Sequence, residues 1–231
     1  MQQIVVKGDN SLPDDPSPDA IGKAYEEDST ILRMLGIMDN YTDKLFKGDY
    51  VMTREEFVRC IISMLGLKDE AENIKEKCSF IDVSKEANGY IKLAEELGII
   101  NGNGNSMFEP DRVMKFEEGV KMLVCALGYD LGDLSYPTGY MVKAHEIKLL
   151  KGISEQDTTR GSMSALLVNA LDIPMNRIIF IGPGHYTLEK GETFRAPSNQ
   201  FSSPTSAKEL AKLGSVCLIV TGKHGAKVCG A

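Results

Sequence analysis

Apolar residues at Ile21, Ala24, Tyr25, Ile31, Leu32 and Leu35 recur close to the helical period and stop at Gly36. Glycine is free to take the left-handed turn that ends a helix. A polar loop over residues 39–52 follows, and a second periodic run over residues 54–65 ends at Gly66. The pattern then starts again. Phe80-Ile-Asp-Val83 leads into a helix over 90–97, a loop over 101–114 and a helix over 117–127. A third pass runs through a helix over 139–150, a turn at Gly152-Ile153 and a helix over 160–171. Its loop is cut short: Ile37 to Thr53 and Ile99 to Lys115 are both 16 steps, but Ile153 to Thr159 is only six. After Pro174 the helical period gives way to short runs at 178–181, 185–188, 193–196 and 216–221, which read as strands. A loop over 197–205 and a short capped helix over 206–213 lie among them.

The recurrence is also one of residue identity. Residues 35–66 laid over 97–128 match without a gap at an offset of 62, with twelve of thirty-two positions identical, among them Phe46/Phe108, Asp49/Asp111 and Glu56/Glu118. A period of this size marks a supersecondary unit whose copies bury their apolar faces on one another. Candidate sites therefore lie at the seams between copies. The expected class is mainly α, with copies at about 20–67, 78–129 and 136–174, then a small β-rich segment over 175–231 that could open a further domain. Residues 1–19, with Pro13, Pro16 and Pro18 among acidic residues, read as a polar leader or linker.

Composition narrows the function. The 231 residues are 42% hydrophobic, enough for at least one core. A net charge of −7 argues against nucleic acid, whose phosphates call for a basic stripe. No apolar run is long enough for a membrane span, and no signal peptide is visible at the start. Five cysteines, Cys60, Cys78, Cys125, Cys217 and Cys229, show neither disulfide-framework nor zinc spacing, and Cys60 and Cys125 read as small core residues. The alternating Asn101-Gly-Asn-Gly-Asn105 only superficially resembles a calcium loop, since Arg112 stands where a bidentate glutamate belongs. Gly222-Lys223 lacks the rest of a phosphate loop, and the three histidines have no metal or nucleophile spacing. Neither metal nor cofactor nor catalytic residue is expected.

The repeat resembles the S-layer homology motif. The residues that carry the resemblance are Phe80-Ile-Asp-Val83, Gly89-Tyr-Ile-Lys-Leu-Ala94, Leu97-Gly-Ile-Ile-Asn-Gly102 and Phe108-Glu-Pro-Asp111. Thr53-Arg-Glu-Glu-Phe57 stands in the place of the family's Thr-Arg-Ala-Glu-Phe signature, and Tyr136-Pro-Thr-Gly-Tyr140 with Thr159-Arg-Gly161 fits a degenerate third motif. The resemblance covers residues 20–174. It implies three motifs with pseudo-threefold symmetry, whose grooves bind secondary cell-wall polysaccharide, often pyruvylated, and hold a surface protein non-covalently to the bacterial envelope.

By the same resemblance the binding arginine falls on Arg54 and Arg160, while copy two has Phe116 in that place after Lys115. The tryptophan usual in the first helix would fall near Glu86, and the chain has no tryptophan. The candidate ligand-binding set is Thr53, Arg54, Glu55, Tyr90, Asn101, Gly102, Thr159 and Arg160. A guanidinium can grip a ketal carboxylate with two charge-assisted hydrogen bonds, and glycine-exposed backbone with an aromatic face, offered by Tyr90, suits sugar. Thr53 and Glu56 also have capping-box spacing, which leaves Arg54 exposed in the first turn. The rival readings are a structural or protein-interaction module without glycan binding, with surface proteins as partners, and the non-catalytic part of a cell-surface enzyme.

Overall fold

The computed structural model describes residues 16–182 except 131 and 154–156, with residues 185–190, 217–221 and 225–229. Among these the chain is mainly helical: α1 (Glu26–Met34), α2 (Arg54–Met64), α3 (Lys68–Asn73), α4 (Asn88–Glu96), α5 (Phe116–Ala126), α6 (Thr138–Glu146) and α7 (Arg160–Leu171). The expected capping box is present on α2, with Thr53 accepting from the Glu56 amide and Glu56 accepting from the Thr53 amide. The first helix starts later than its periodicity suggests. Gly22 has a φ of 75°, outside the helical region, and its amide donates to the Glu26 carboxylate at 2.6 Å, so the chain reaches α1 through turns.

Each motif's second helix packs on the first helix of the next: α2 on α4, α5 on α6, and α7 back on α1. The three copies thus form a closed ring around one core that runs through Phe46, Phe57, Ile91, Phe108, Leu123, Leu149 and Leu167, all essentially inaccessible. At its centre the equivalent positions of the three second helices meet. They are Phe57, Gly119 and Met163. A Cβ on Gly119 would stand 2.8 Å from Met163 Cε and 3.2 Å from Phe57 Cε1. Exact threefold repetition of Phe57 would overfill this point, so the symmetry is broken by size.

Two aspartates pin the long loops. Asp19 accepts from the amides of Phe46 and Lys47 at 2.9 and 2.7 Å. Asp82, the aspartate of Phe80-Ile-Asp-Val83, accepts from those of Phe108 and Glu109 at 2.8 and 2.7 Å. Lys47 and Glu109 have φ of 55° and 61°, so each carboxylate holds a left-handed residue in place. The sequence pattern puts Asp19 at the end of a leader; in the structure it serves the first motif instead, next to buried Ser17.

Burial alone would raise the acid of Asp82, but the backbone amides of Phe108, Glu109 and its own residue, with the charge of Arg54, leave it below the usual carboxylate value. A depressed folded-state value means stability that is present above the unfolded value and lost as pH falls through the folded one. Asp82→Asn should therefore cost about 1 kcal/mol at neutral pH, and progressively less as pH falls below the usual carboxylate value. Thermal melting of both proteins across that range checks this; parallel curves would exclude it.

Near the end of the chain, β1 (Asn176–Gly182) pairs antiparallel with β2 (His185–Lys190), and β3 (Cys217–Thr221) with β4 (Gly225–Cys229). These are two separate ribbons, and such a ribbon alone does not bury a core. The expectation of a β-rich segment is not supported by them. The strand expected over 193–196, the loop over 197–205 and the helix over 206–213 lie outside the described residues.

Candidate functional site

The N-terminal turn of α2 is held by the loop of the second motif. The amides of Arg54 and Glu55 donate to the carbonyls of Arg112 and Pro110 at 3.0 and 3.1 Å. The Arg54 side chain follows them: Nε donates to the Phe108 carbonyl at 2.9 Å, Nη1 reaches Glu118 at 3.2 Å, and the guanidinium lies 4.7 Å over the Phe108 ring. The third motif holds the first in the same way. The amides of Arg160 and Gly161 donate to Tyr50 and Gly48, and the Arg160 side chain donates to the carbonyls of Phe46 and Asp39 at 2.8 and 2.7 Å. Its guanidinium stacks on Phe46 and Tyr41.

Both arginines are buried, with 7% and 5% of their surface exposed, and this corrects the expectation that Arg54 projects freely from a capped helix start. The cap is formed as expected, but the neighbouring loop folds over it. Burial lowers the Arg54 pKa from its ordinary value, against the opposing charge of Glu118. In the second motif Phe116 replaces the arginine and is itself buried, so that seam has no such clasp.

A cleft of about 210 Å³ opens beside Arg54, walled by Asn101, Gly102 and Asn103 of the second loop, Glu118 and Lys121 of α5, and Tyr136 ahead of α6. Gly102 is required there, because a Cβ would meet the Phe80 ring at 2.5 Å. Glu118 lies at the cleft's electrostatic centre. Burial would raise its acid, but the Arg112 fork, the Lys115 amide and the charge of Arg54 hold it below the usual carboxylate value. With Arg54, Arg112 and Lys121 against Glu109 and Glu118, the lining carries one net positive charge on a chain of net −7.

Of the expected residues, the cleft gathers Arg54, Asn101 and Gly102. Thr53 caps α2, and the Glu55 carboxylate accepts from Arg59 at 2.8 Å. Thr159 caps α7 and donates to Asp157 at 2.8 Å, while Arg160 lies at the seam with the first motif. Tyr90 does not offer a sugar platform. It is 5% exposed, its hydroxyl donates to Glu72 at 3.0 Å, and Arg59 covers its ring at 4.6 Å. Burial, and then the Glu72 bond, push its hydroxyl up to about 12. Tyr136, half exposed, lines the cleft instead. Aligning Gly139-Tyr140 with Gly89-Tyr90 sets Tyr136 opposite Glu86, the place of the missing tryptophan, and that register could have pointed to it. Sequence motifs do not mark Arg112, Glu118 and Lys121 as cleft residues either. Their counterparts 62 positions earlier are Tyr50, Glu56 and Arg59, of which Glu56 marks only a helix cap.

A closed ring of helix–loop–helix motifs, with a glycine- and arginine-lined cleft at a seam, defines a repeat module. Residues 30–58 and 79–118 match the S-layer homology domain, and the chain belongs to that family. The "Cell surface protein" of Thermoanaerobacter kivui is 31% identical over 172 residues, covering 72% of this chain and 21% of the relative. The "Middle cell wall protein" of Brevibacillus brevis is 26% identical over 156 residues, covering 65% and 15%. The "Surface layer protein" of Brevibacillus choshinensis is 27% identical over 164 residues, covering 69% and 15%. The chain thus spans about a fifth or less of the length of these relatives. Family and relatives place it at the cell surface or cell wall. No described helix is long and apolar enough to cross a membrane.

Proposed function

We propose that the ring is a non-catalytic anchor, holding a surface protein to the bacterial envelope by taking secondary cell-wall polysaccharide into the cleft beside Arg54. The observation that carries this reading is the cleft itself. Asparagine side chains, glycine backbone, the exposed Tyr136 ring and an excess of cations converge on one concave surface. Sugar hydroxyls match the first two, a pyranose face the third, and an acidic substituent the last. The chain leaves the third motif tied back to the second, where the Asn176 amide donates to the Leu127 carbonyl at 2.9 Å.

Sedimentation with purified sacculi of Thermoanaerobacter kivui tests the anchor. The protein should pellet with intact sacculi and stay in solution once the polysaccharide has been stripped. Equal pelleting with both, or none with either, removes the reading. A second reading, a motif ring that binds protein and not glycan, is favoured by one observation: both signature arginines are engaged in holding motifs together. Retention by the stripped sacculi or by other surface-layer proteins alone would select it.

A further inference from the structure

The cations of the cleft are not equivalent. Arg112 forks onto Glu118, with Nη2 to Oε1 at 2.7 Å and Nη1 to Oε2 at 3.1 Å, and its Nε donates to Glu109 at 2.9 Å. Arg54 takes the Phe108 carbonyl and Glu118 Oε1, and the Lys115 amide takes Glu118 Oε2 at 2.9 Å. A carboxylate has about four acceptor places, and on Glu118 all are filled. The two arginines therefore face a fixed internal anion whose acceptor places they and the Lys115 amide already fill.

Lys121 follows Glu118 by three residues on α5 and lines the same cleft. Among the described residues no carboxylate forms an ion pair with it. Its counterpart 62 positions earlier is Arg59, whose guanidinium is tied to Glu55 at 2.8 Å and packed on Tyr90. Lys121 instead stands 5.7 Å from the centre of the Tyr140 ring. Asp130, which feels its charge at longer range, is occupied by the Tyr140 hydroxyl at 2.6 Å and the Gly132 amide at 2.8 Å. A flexible ammonium at the rim of a cleft, with its donors uncommitted, is suited to reach an anion on an incoming polymer.

We infer that Lys121 is the specificity-determining residue of the cleft, selecting polymer that carries an anionic sugar substituent, while Glu118 serves as the internal counter-ion that withholds Arg54 and Arg112 from that task. This rests on the glycan-anchor reading above. It differs from the expectation that Arg54 grips the acid. The anion can be a carboxylate or a phosphodiester, since an ammonium does not distinguish their shapes.

Cosedimentation of the whole chain with the same sacculi, across a salt series, tests the assignment. Lys121→Gln should weaken binding about tenfold at low salt, the scale of one charge-assisted contact. It should also flatten the salt dependence, leave the melting temperature unchanged, and be rescued by Lys121→Arg. Sacculi whose carboxyl groups have been reduced to alcohols separate the two anion sources, because wild type loses its advantage over Lys121→Gln only if the partner is a carboxylate. Wild-type affinity and salt dependence in Lys121→Gln would overturn the role of Lys121 and leave the anchor standing. Failure of the wild type to need the polysaccharide would overturn both.

Discussion

Replacing Arg54 by alanine is expected to destabilise the ring by about 3 kcal/mol, the scale set by leaving a buried partner unpaired. The substitution strands the Phe108 carbonyl and removes one of the cations that compensate Glu118, both beneath a guanidinium whose side chain is 9% exposed. It also withdraws the surface that covers one face of Phe108. A lysine in its place would keep the charge but not the geometry, since an ammonium cannot serve Phe108 and Glu118 through separate planar donors. Chemical denaturation of wild type, Arg54→Ala and Arg54→Lys measures this. A loss below about 1 kcal/mol for alanine would mean that the arginine is not structural. A polymer-binding defect in Arg54→Ala is then to be read only at temperatures where the variant is folded.

Gly89→Ala should be equally damaging for a different reason. Gly89 lies on α4 against α3, and a Cβ there would stand 1.8 Å from the Ala71 carbonyl oxygen. A flexible side chain could swing aside, but this obstacle is backbone, so α3 and α4 must separate. The cost should be about 3 kcal/mol, at the upper end for overpacking. Gly98→Ala is the matched control. Gly98 has a φ of 69° and open space around it, so alanine there meets only backbone strain, about 1 kcal/mol. Equal melting temperatures for the two variants would show that the α3–α4 contact is looser than described.

The ring's architecture was legible because it is written twice. The identities at Phe46/Phe108 and Glu56/Glu118 are positions where each copy does the same work, anchoring a loop and capping a helix. The third copy was legible in Thr159-Arg-Gly161 for the same reason, since Arg160 repeats the Arg54 clasp. What escaped was contact made across copies. The spacing of Thr53-Arg-Glu-Glu56 describes one helix start, and nothing in it says that a neighbouring loop will fold over the arginine. Asp19 escaped because proline-rich polar surroundings look like a linker, although its carboxylate repeats the office of Asp82. The cleft's chemistry was hidden by departures from the repeat. Arg112 faces Tyr50 in the alignment and Lys121 faces Arg59, so a search for shared residues passes over both.

The return of α7 onto α1 sets a condition on how the molecule comes into being. A chain emerging N-terminus first makes the first loop early, yet the guanidinium that takes the carbonyls of Asp39 and Phe46 arrives only with Arg160, 121 and 114 residues later. Until then those carbonyls have only water, and the apolar stripe of α1 has no α7 to cover it. Contacts of such separation are slow to form, and a chain that awaits them stays open in the meantime. Closure of the ring is thus timed by the last motif, which makes the degenerate third copy the one that completes the first.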